Sequence, residues 1–131
     1  MLYKCSIFNK DKLTMQLSEN FSLEELTYSN TAIVKKIDNT PSKDIVENLS
    51  RLAKNILQPI RNKWGSSINV TSGYRSPKLN SAIGGAKTSQ HMTGCAADIK
   101  AANGKQGDLF RMIKSMIESG ELTVGQLIWE K

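Results

Sequence analysis

A chain of 131 residues, 39% hydrophobic and 23% charged, has the size of one domain and enough apolar content for a core. No apolar run reaches the roughly 18 residues that a membrane span needs, so no membrane partner is expected. The net charge of +6 suits anionic surroundings such as nucleic acid or a cell-wall polymer, but the basic residues are scattered, with only short pairs such as Lys35-Lys36, and a nucleic-acid partner is not expected from so diffuse a pattern.

The first 18 residues alternate in places, "LYKCSIF" and "LTMQL" about the polar "NKDK", which predicts a hairpin or two short strands. No basic stretch, apolar run and small-residue cleavage site follow one another there. No secretory signal is expected, and a cytoplasmic location in the producing cell is. Two cysteines, Cys5 and Cys95, are too few for a disulfide framework and are expected as reduced thiols. "FSLEEL" carries a helix start, with Ser22 as N-cap, Glu25 three residues on, and Phe21 and Leu26 placed for a hydrophobic staple. "NTPS" breaks the chain.

From Ser42 to Trp64 the apolar residues Ile45, Val46, Leu49, Leu52, Ala53, Ile56, Leu57 and Ile60 follow the spacing of an amphipathic helix. Ser42 can cap it and Asp44 suits its first turn. Pro59 should kink or divide it. "INVTSGY" reads as a strand rich in β-branched residues, "RSPKLNSAIGGAKTS" as a loop with one helical turn at Leu79–Ile83, and "CAADIK" as a short buried strand. "GDLFRMIKSMIES" predicts a second amphipathic helix that buries Leu109, Phe110, Ile113, Met116 and Ile117 and stops at Gly120. "VGQLIWEK" reads as a final strand.

His91 is the only histidine, and Asp98 follows in the apolar run Ala96-Ala97-Asp98-Ile99. A carboxylate in a buried strand is costly unless a cation satisfies it. Gly94 can turn the backbone between the two, so that they face one point. Imidazole and carboxylate there suit Zn²⁺, although a catalytic zinc takes three protein ligands and one open position. By spacing alone a capped or surface histidine, with Asp98 paired to Arg75 or a lysine, is the favoured reading.

The string "SGYRSPKLNSAIGGAKTSQHMTGCAADI", together with "FSLEELTYSNTA", "IDNTP", "LQPIR" and "QLIWE", strongly resembles the zinc-dependent murein peptidases of the M15 type. These are the D-alanyl-D-alanine carboxypeptidases and L-alanyl-D-glutamate endopeptidases of bacteria and phage endolysins. The resemblance runs from about Phe21 to the end, with residues 1–20 as an N-terminal extension and 21–131 as the peptidase domain. It implies an α+β fold of the hedgehog/DD-peptidase type, a small antiparallel sheet with helices packed on one side. It implies zinc as cofactor, with His91 and Asp98 as ligands. Arg75 is implied as the catalytic arginine, holding a substrate carboxylate or polarising the scissile carbonyl. Ser89 and Gln90 are implied to line the substrate cleft. Tyr74 and Ser76 are expected to support the loop, and Asn80 to tie it by side-chain hydrogen bonds. The implied substrate is a peptidoglycan stem peptide cut next to a D-amino acid, reached after release from the cell that makes the protein.

At its far end the chain departs from this pattern. The family's third ligand is a histidine that follows an acidic base on the last strand, beyond a segment like "LIWE". No histidine stands there. Glu130 could offer a carboxylate and Cys95 a thiolate, yet the resemblance places a small packed residue at Cys95. A parent sequence continuing past Lys131 is the expected explanation, and this chain alone is expected to be inactive or nearly so. A non-catalytic peptidoglycan-binding or phage structural module on the same fold is the alternative, and a ligand lent by another molecule a further one. Nothing in the sequence sets an oligomeric state.

Overall fold

The computed structural model describes residues 15–123. Most of the expected N-terminal hairpin, the expected final strand, Cys5 and Glu130 lie outside them. The described part begins with a tight reversal, in which the Leu17 and Ser18 N–H groups donate to the Phe21 carbonyl. It leads into α1 (Leu23–Thr27). Ser22 caps α1 as expected, its hydroxyl accepting from Glu25 N–H at 3.1 Å. Phe21 and Leu26 are both fully buried, which is the staple. At Tyr28 the backbone turns extended, because Ser29 takes over as N-cap of a separate helix α2 (Asn30–Lys35). The sequence reading contained no such helix: only Ala32 of it is buried, so no apolar periodicity announces it.

Ser42 caps α3 (Lys43–Leu52) by accepting from Ile45 N–H. The cap is exposed and long at 3.4 Å. Ser42→Ala is therefore expected to cost only about 0.5–1 kcal/mol, read as a fall of a few degrees in thermal midpoint; an unchanged midpoint would show that the hydroxyl does not cap the helix in solution. Pro59 divides the long helix as expected, and the structure shows how. A π-helical turn (Ala53–Leu57) separates α3 from α4 (Gln58–Trp64). The proline ring has no N–H to give and collides with the carbonyl of the preceding turn, so that turn widens. Gln58 N–H closes it onto the Ala53 carbonyl. Gly65, at φ 76°, ends α4.

β1 (Ile68–Ser72) and β2 (Asp98–Ala101) pair antiparallel. The pairs Ile68–Ala101 and Val70–Ile99 put their side chains on one face, against the helices. Asn69, Thr71, Asp98 and Lys100 stand exposed on the other. The fold is thus α+β, and among the described residues the antiparallel sheet has two strands with helices on one side. Between Val70 and Ser72 the register shifts by one residue, a bulge that sets Ser72 rather than Thr71 opposite Asp98. The outer edge of β2 is covered by Gln106, whose side chain accepts from Ala101 N–H and donates to the Ile99 carbonyl.

One core gathers Leu17, Phe21, Leu23, Leu26, Leu49, Ala53, Leu57 and Tyr74. A second gathers Ile60, Ile68, Ala101 and Leu122 with the stripe Leu109, Ile113 and Met116 of α6 (Gln106–Glu118). Ile99 packs against both. Two expectations need correcting. Phe110 and Ile117 of α6 are half-buried rather than buried, because they flank the central stripe instead of belonging to it. "CAADIK" is not a buried strand: β2 starts only at Asp98, and Cys95 and Asp98 are exposed. Among the described residues the sheet is covered on one face, so alternate residues of β2 stand exposed.

Candidate metal centre

The site is assembled from three pieces of chain. The first is the segment Gly73–Ser76, which leaves β1. Its Tyr74 N–H donates to the Leu26 carbonyl at 2.7 Å, drawing the loop against the end of α1. Gly73 is required by that approach, since a Cβ there would lie 2.2 Å from the Leu26 oxygen. Ser76 caps α5 (Pro77–Ala82) by accepting from Leu79 N–H, and Tyr74 is buried in the first core. Both support the loop. Asn80 is buried and donates to the Ala86 carbonyl at 2.9 Å, tying the loop that follows.

The second piece is a 3-10 turn, Gln90–Thr93. Ser89 caps it, its hydroxyl accepting from His91 N–H at 3.2 Å and from the Arg75 guanidinium at 3.4 Å. Gly94 closes the turn at φ 76° and packs so tightly on Ile45 and Leu49 that a Cβ would lie within 3.2 Å of both. The backbone can then swing into the third piece, the start of β2, which carries Asp98.

His91 is nearly enclosed, with 12% of its side chain accessible, whereas Asp98 is 48% accessible. The ring Nδ1 lies 2.7 Å from the Gly73 carbonyl oxygen. A carbonyl only accepts, so Nδ1 carries the proton and Nε2 presents its lone pair. That nitrogen faces Asp98 Oδ2 at 3.7 Å. In the neutral ring an acceptor thus faces an acceptor, and a cation between them removes the conflict. Two ligands of one tetrahedral zinc, each about 2.0–2.2 Å from it, stand roughly 3.4 Å apart. The pair therefore fits zinc in donor type and in spacing. A backbone carbonyl fixing the far nitrogen is also the usual support of a metal-bound histidine.

The Asp98 carboxyl is held below the ordinary carboxylate range. The main cause is the facing His91 ring in its doubly protonated form, whose Nε2–H points at the carboxylate, although 3.7 Å is too long for a full hydrogen bond; partial burial opposes it, and the charge of Arg75 adds to it. Arg75 joins the site through its own N–H, which donates to the His91 carbonyl at 3.0 Å. Its buried Nε–H has no partner among the described residues. Gln90 has an exposed side chain beside them.

The structure thus brings together His91, Asp98, Arg75 and Ser89. Cys95 does not join them. Among the described residues no three His, Cys, Asp or Glu side chains converge in a group able to hold a metal ion. A cavity of about 510 Å³ lies elsewhere, along Asn48 and Arg51 of α3 and Asn55 of the π-helical turn and facing Cys95 and Glu121. None of His91, Asp98, Arg75, Ser89 and Gln90 lines it, so convergent chemistry, not concavity, marks the site. Two residues were not singled out in the sequence, Gly73 and Asn39. Asn39 donates to the Thr27 and Tyr74 carbonyls and accepts from Ser76 N–H. An asparagine just ahead of Pro41 reads as turn chemistry, and only the tertiary contacts give it a second meaning.

Compared with known families, residues 19–127 match the model described as peptidase M15. That span contains His91, Asp98, Arg75, Ser89 and Gln90. No curated protein and no solved structure matches the chain.

Proposed function

The chain belongs to the peptidase M15 family, and from that premise we propose that its site is built for zinc-dependent cleavage of peptidoglycan stem peptides, at an amide next to a D-amino acid. One observation carries the reading: Nε2 of a ring fixed by Gly73 faces the Asp98 carboxylate across a zinc-sized gap. Zinc held there would supply an acidified water and positive charge beside the scissile carbonyl.

The chain's own residues have separate tasks. His91 gives Nε2 as a ligand, and the Gly73 carbonyl keeps that nitrogen free of its proton. Asp98 gives a half-accessible carboxylate that faces that nitrogen. Arg75, anchored on Ser89 and on the His91 backbone, offers a guanidinium to a substrate carboxylate or to the oxygen that gains charge. Gln90 and Ser89 border the place where the peptide would lie. Such a protein acts on the wall after release from the cell that makes it.

His91 is the chain's single histidine, and no third metal-ligating side chain joins the pair among the described residues. The 131-residue chain alone is accordingly expected to release no more amine from murein, with zinc present, than its His91→Ala variant does. Release clearly above that control would overturn the expectation and point to a substitute ligand and base. The same incomplete ligand set is the one observation favouring a non-catalytic module. Equal retention of wild type and His91→Ala on murein, without new chain ends, would support that reading instead.

A further inference from the structure

We infer that Asn39 is a positioning residue, whose single carboxamide holds the Gly73–Ser76 loop in the shape that orients the His91 ring and presents Arg75. Its functional meaning rests on the zinc reading above, but the geometry behind it does not.

Asn39 lies between α2 and α3, away from the motif that carries the site. Its Nδ2 donates to the Thr27 carbonyl at 2.9 Å and to the Tyr74 carbonyl at 3.0 Å. Its Oδ1 accepts from Ser76 N–H at 2.7 Å. Two carbonyls and one N–H admit only one orientation of the amide, so donor and acceptor are assigned without ambiguity. Thr27 ends α1, where a helix leaves carbonyls unpaired, so the same side chain finishes α1 and grips the loop.

The grip falls on both sides of Arg75. The Tyr74 carbonyl and the Ser76 N–H are held by Asn39, while Arg75 N–H reaches the His91 carbonyl and the Gly73 carbonyl takes His91 Nδ1–H. No smaller or charged side chain reproduces this. Aspartate keeps the acceptor and loses both donors; serine offers one donor. Without Asn39, three backbone groups lose a partner, Tyr74 N–H on the Leu26 carbonyl is left as the described bond between the loop and α1, and the carbonyl that selects the His91 tautomer is held less firmly.

A single histidine makes the test direct. In protein labelled with ¹⁵N-histidine, all ring-nitrogen signal belongs to His91. In zinc-free protein at about pH 9, where an ordinary imidazole is neutral, the wild type should show one tautomer, protonated at Nδ1. Asn39→Ala should show the averaged signals of an unconstrained ring. Leu109→Ala, a fully buried residue of the second core, lowers stability without touching the loop and should keep the wild-type signals. Should Asn39→Ala not fold, Asn39→Asp is measured in the same way, with the same averaging expected. Zinc affinity in either Asn39 variant should fall about 10–100-fold, as for other groups that support a ligand. Wild-type ring signals in the Asn39 variant, averaging as complete in Leu109→Ala, or no fixed Nδ1–H tautomer in the wild type would each overturn the inference. The ring signals need no zinc, so a failure of the zinc reading would leave this result standing, and the reverse holds too.

Discussion

Gly73→Ala is expected to destabilise the protein by about 3 kcal/mol or more and to release the His91 ring with it. The cause is steric. A Cβ at residue 73 would meet the Leu26 carbonyl oxygen at 2.2 Å and its carbon at 2.9 Å. Both atoms are backbone at the end of a packed helix, so no side chain can rotate away. The loop must lift from α1, which lengthens or breaks the Tyr74 N–H bond to that oxygen, 2.7 Å in the native protein. Overpacking of this kind costs about 1–3 kcal/mol and a lost hydrogen bond about 1 more. For a domain of this size that is a thermal midpoint lower by roughly 10 °C. The Gly73 carbonyl shifts too, and it holds His91 Nδ1; zinc affinity should therefore fall even at temperatures where the variant is fully folded. A variant with wild-type midpoint would mean that α1 and β1 do not approach as described. A lowered midpoint with unchanged His91 tautomer would mean that the carbonyl does not set the ring.

His91→Ala and Asp98→Ala are each expected to remove specific zinc binding. The wild-type chain should bind one zinc weakly, because the described residues supply two ligands and not three. Removing one leaves a single donor, which no longer defines a site. The loss should exceed the roughly 10–100-fold that follows removal of a supporting group. Titration calorimetry and metal analysis of the three proteins check this. Asp98→Ala should leave the fold intact, since the side chain is about half accessible and, among the described residues, reaches His91 and the field of Arg75. Zinc bound as strongly by Asp98→Ala as by wild type would remove Asp98 from the site. Tight one-to-one binding by wild type, lost in both variants, would show that the chain completes its own coordination, and the expected inactivity would have to be abandoned.

Much of the local structure was legible because it depends on neighbours in sequence. Ser22 and Ser42 announce helix starts through the residues three positions on. The apolar stripe of α3 and α4 shows which face is buried, and Pro59 where the helix must change. Gly94 marks the reversal between His91 and Asp98, and the motif strings place His91, Asp98 and Arg75 in the order of the M15 family. The errors have a common origin. Phe110 and Ile117 are apolar and in phase with the α6 stripe, yet they sit at its margin, and only the neighbouring elements decide how wide the covered stripe is. Asp98 and Cys95 stand in an apolar run that looks buried, yet among the described residues the sheet is covered on one face only.

What the sequence by itself determined is therefore the two amphipathic helices, the strand at Ile68–Ser72, the caps at Ser22 and Ser42, the break at Pro59, the family, and the two residue types that can meet a metal. What only the tertiary structure decided is how those residues face each other. The bulge between Val70 and Ser72, the backbone contact that leaves no room for a side chain at Gly73, and the threefold hydrogen bonding of Asn39 all join segments far apart along the chain. Periodicity and capping report interactions within a few residues of one another. The tautomer of His91 and its distance to Asp98 are set instead by a carbonyl 18 residues away, which no local pattern encodes.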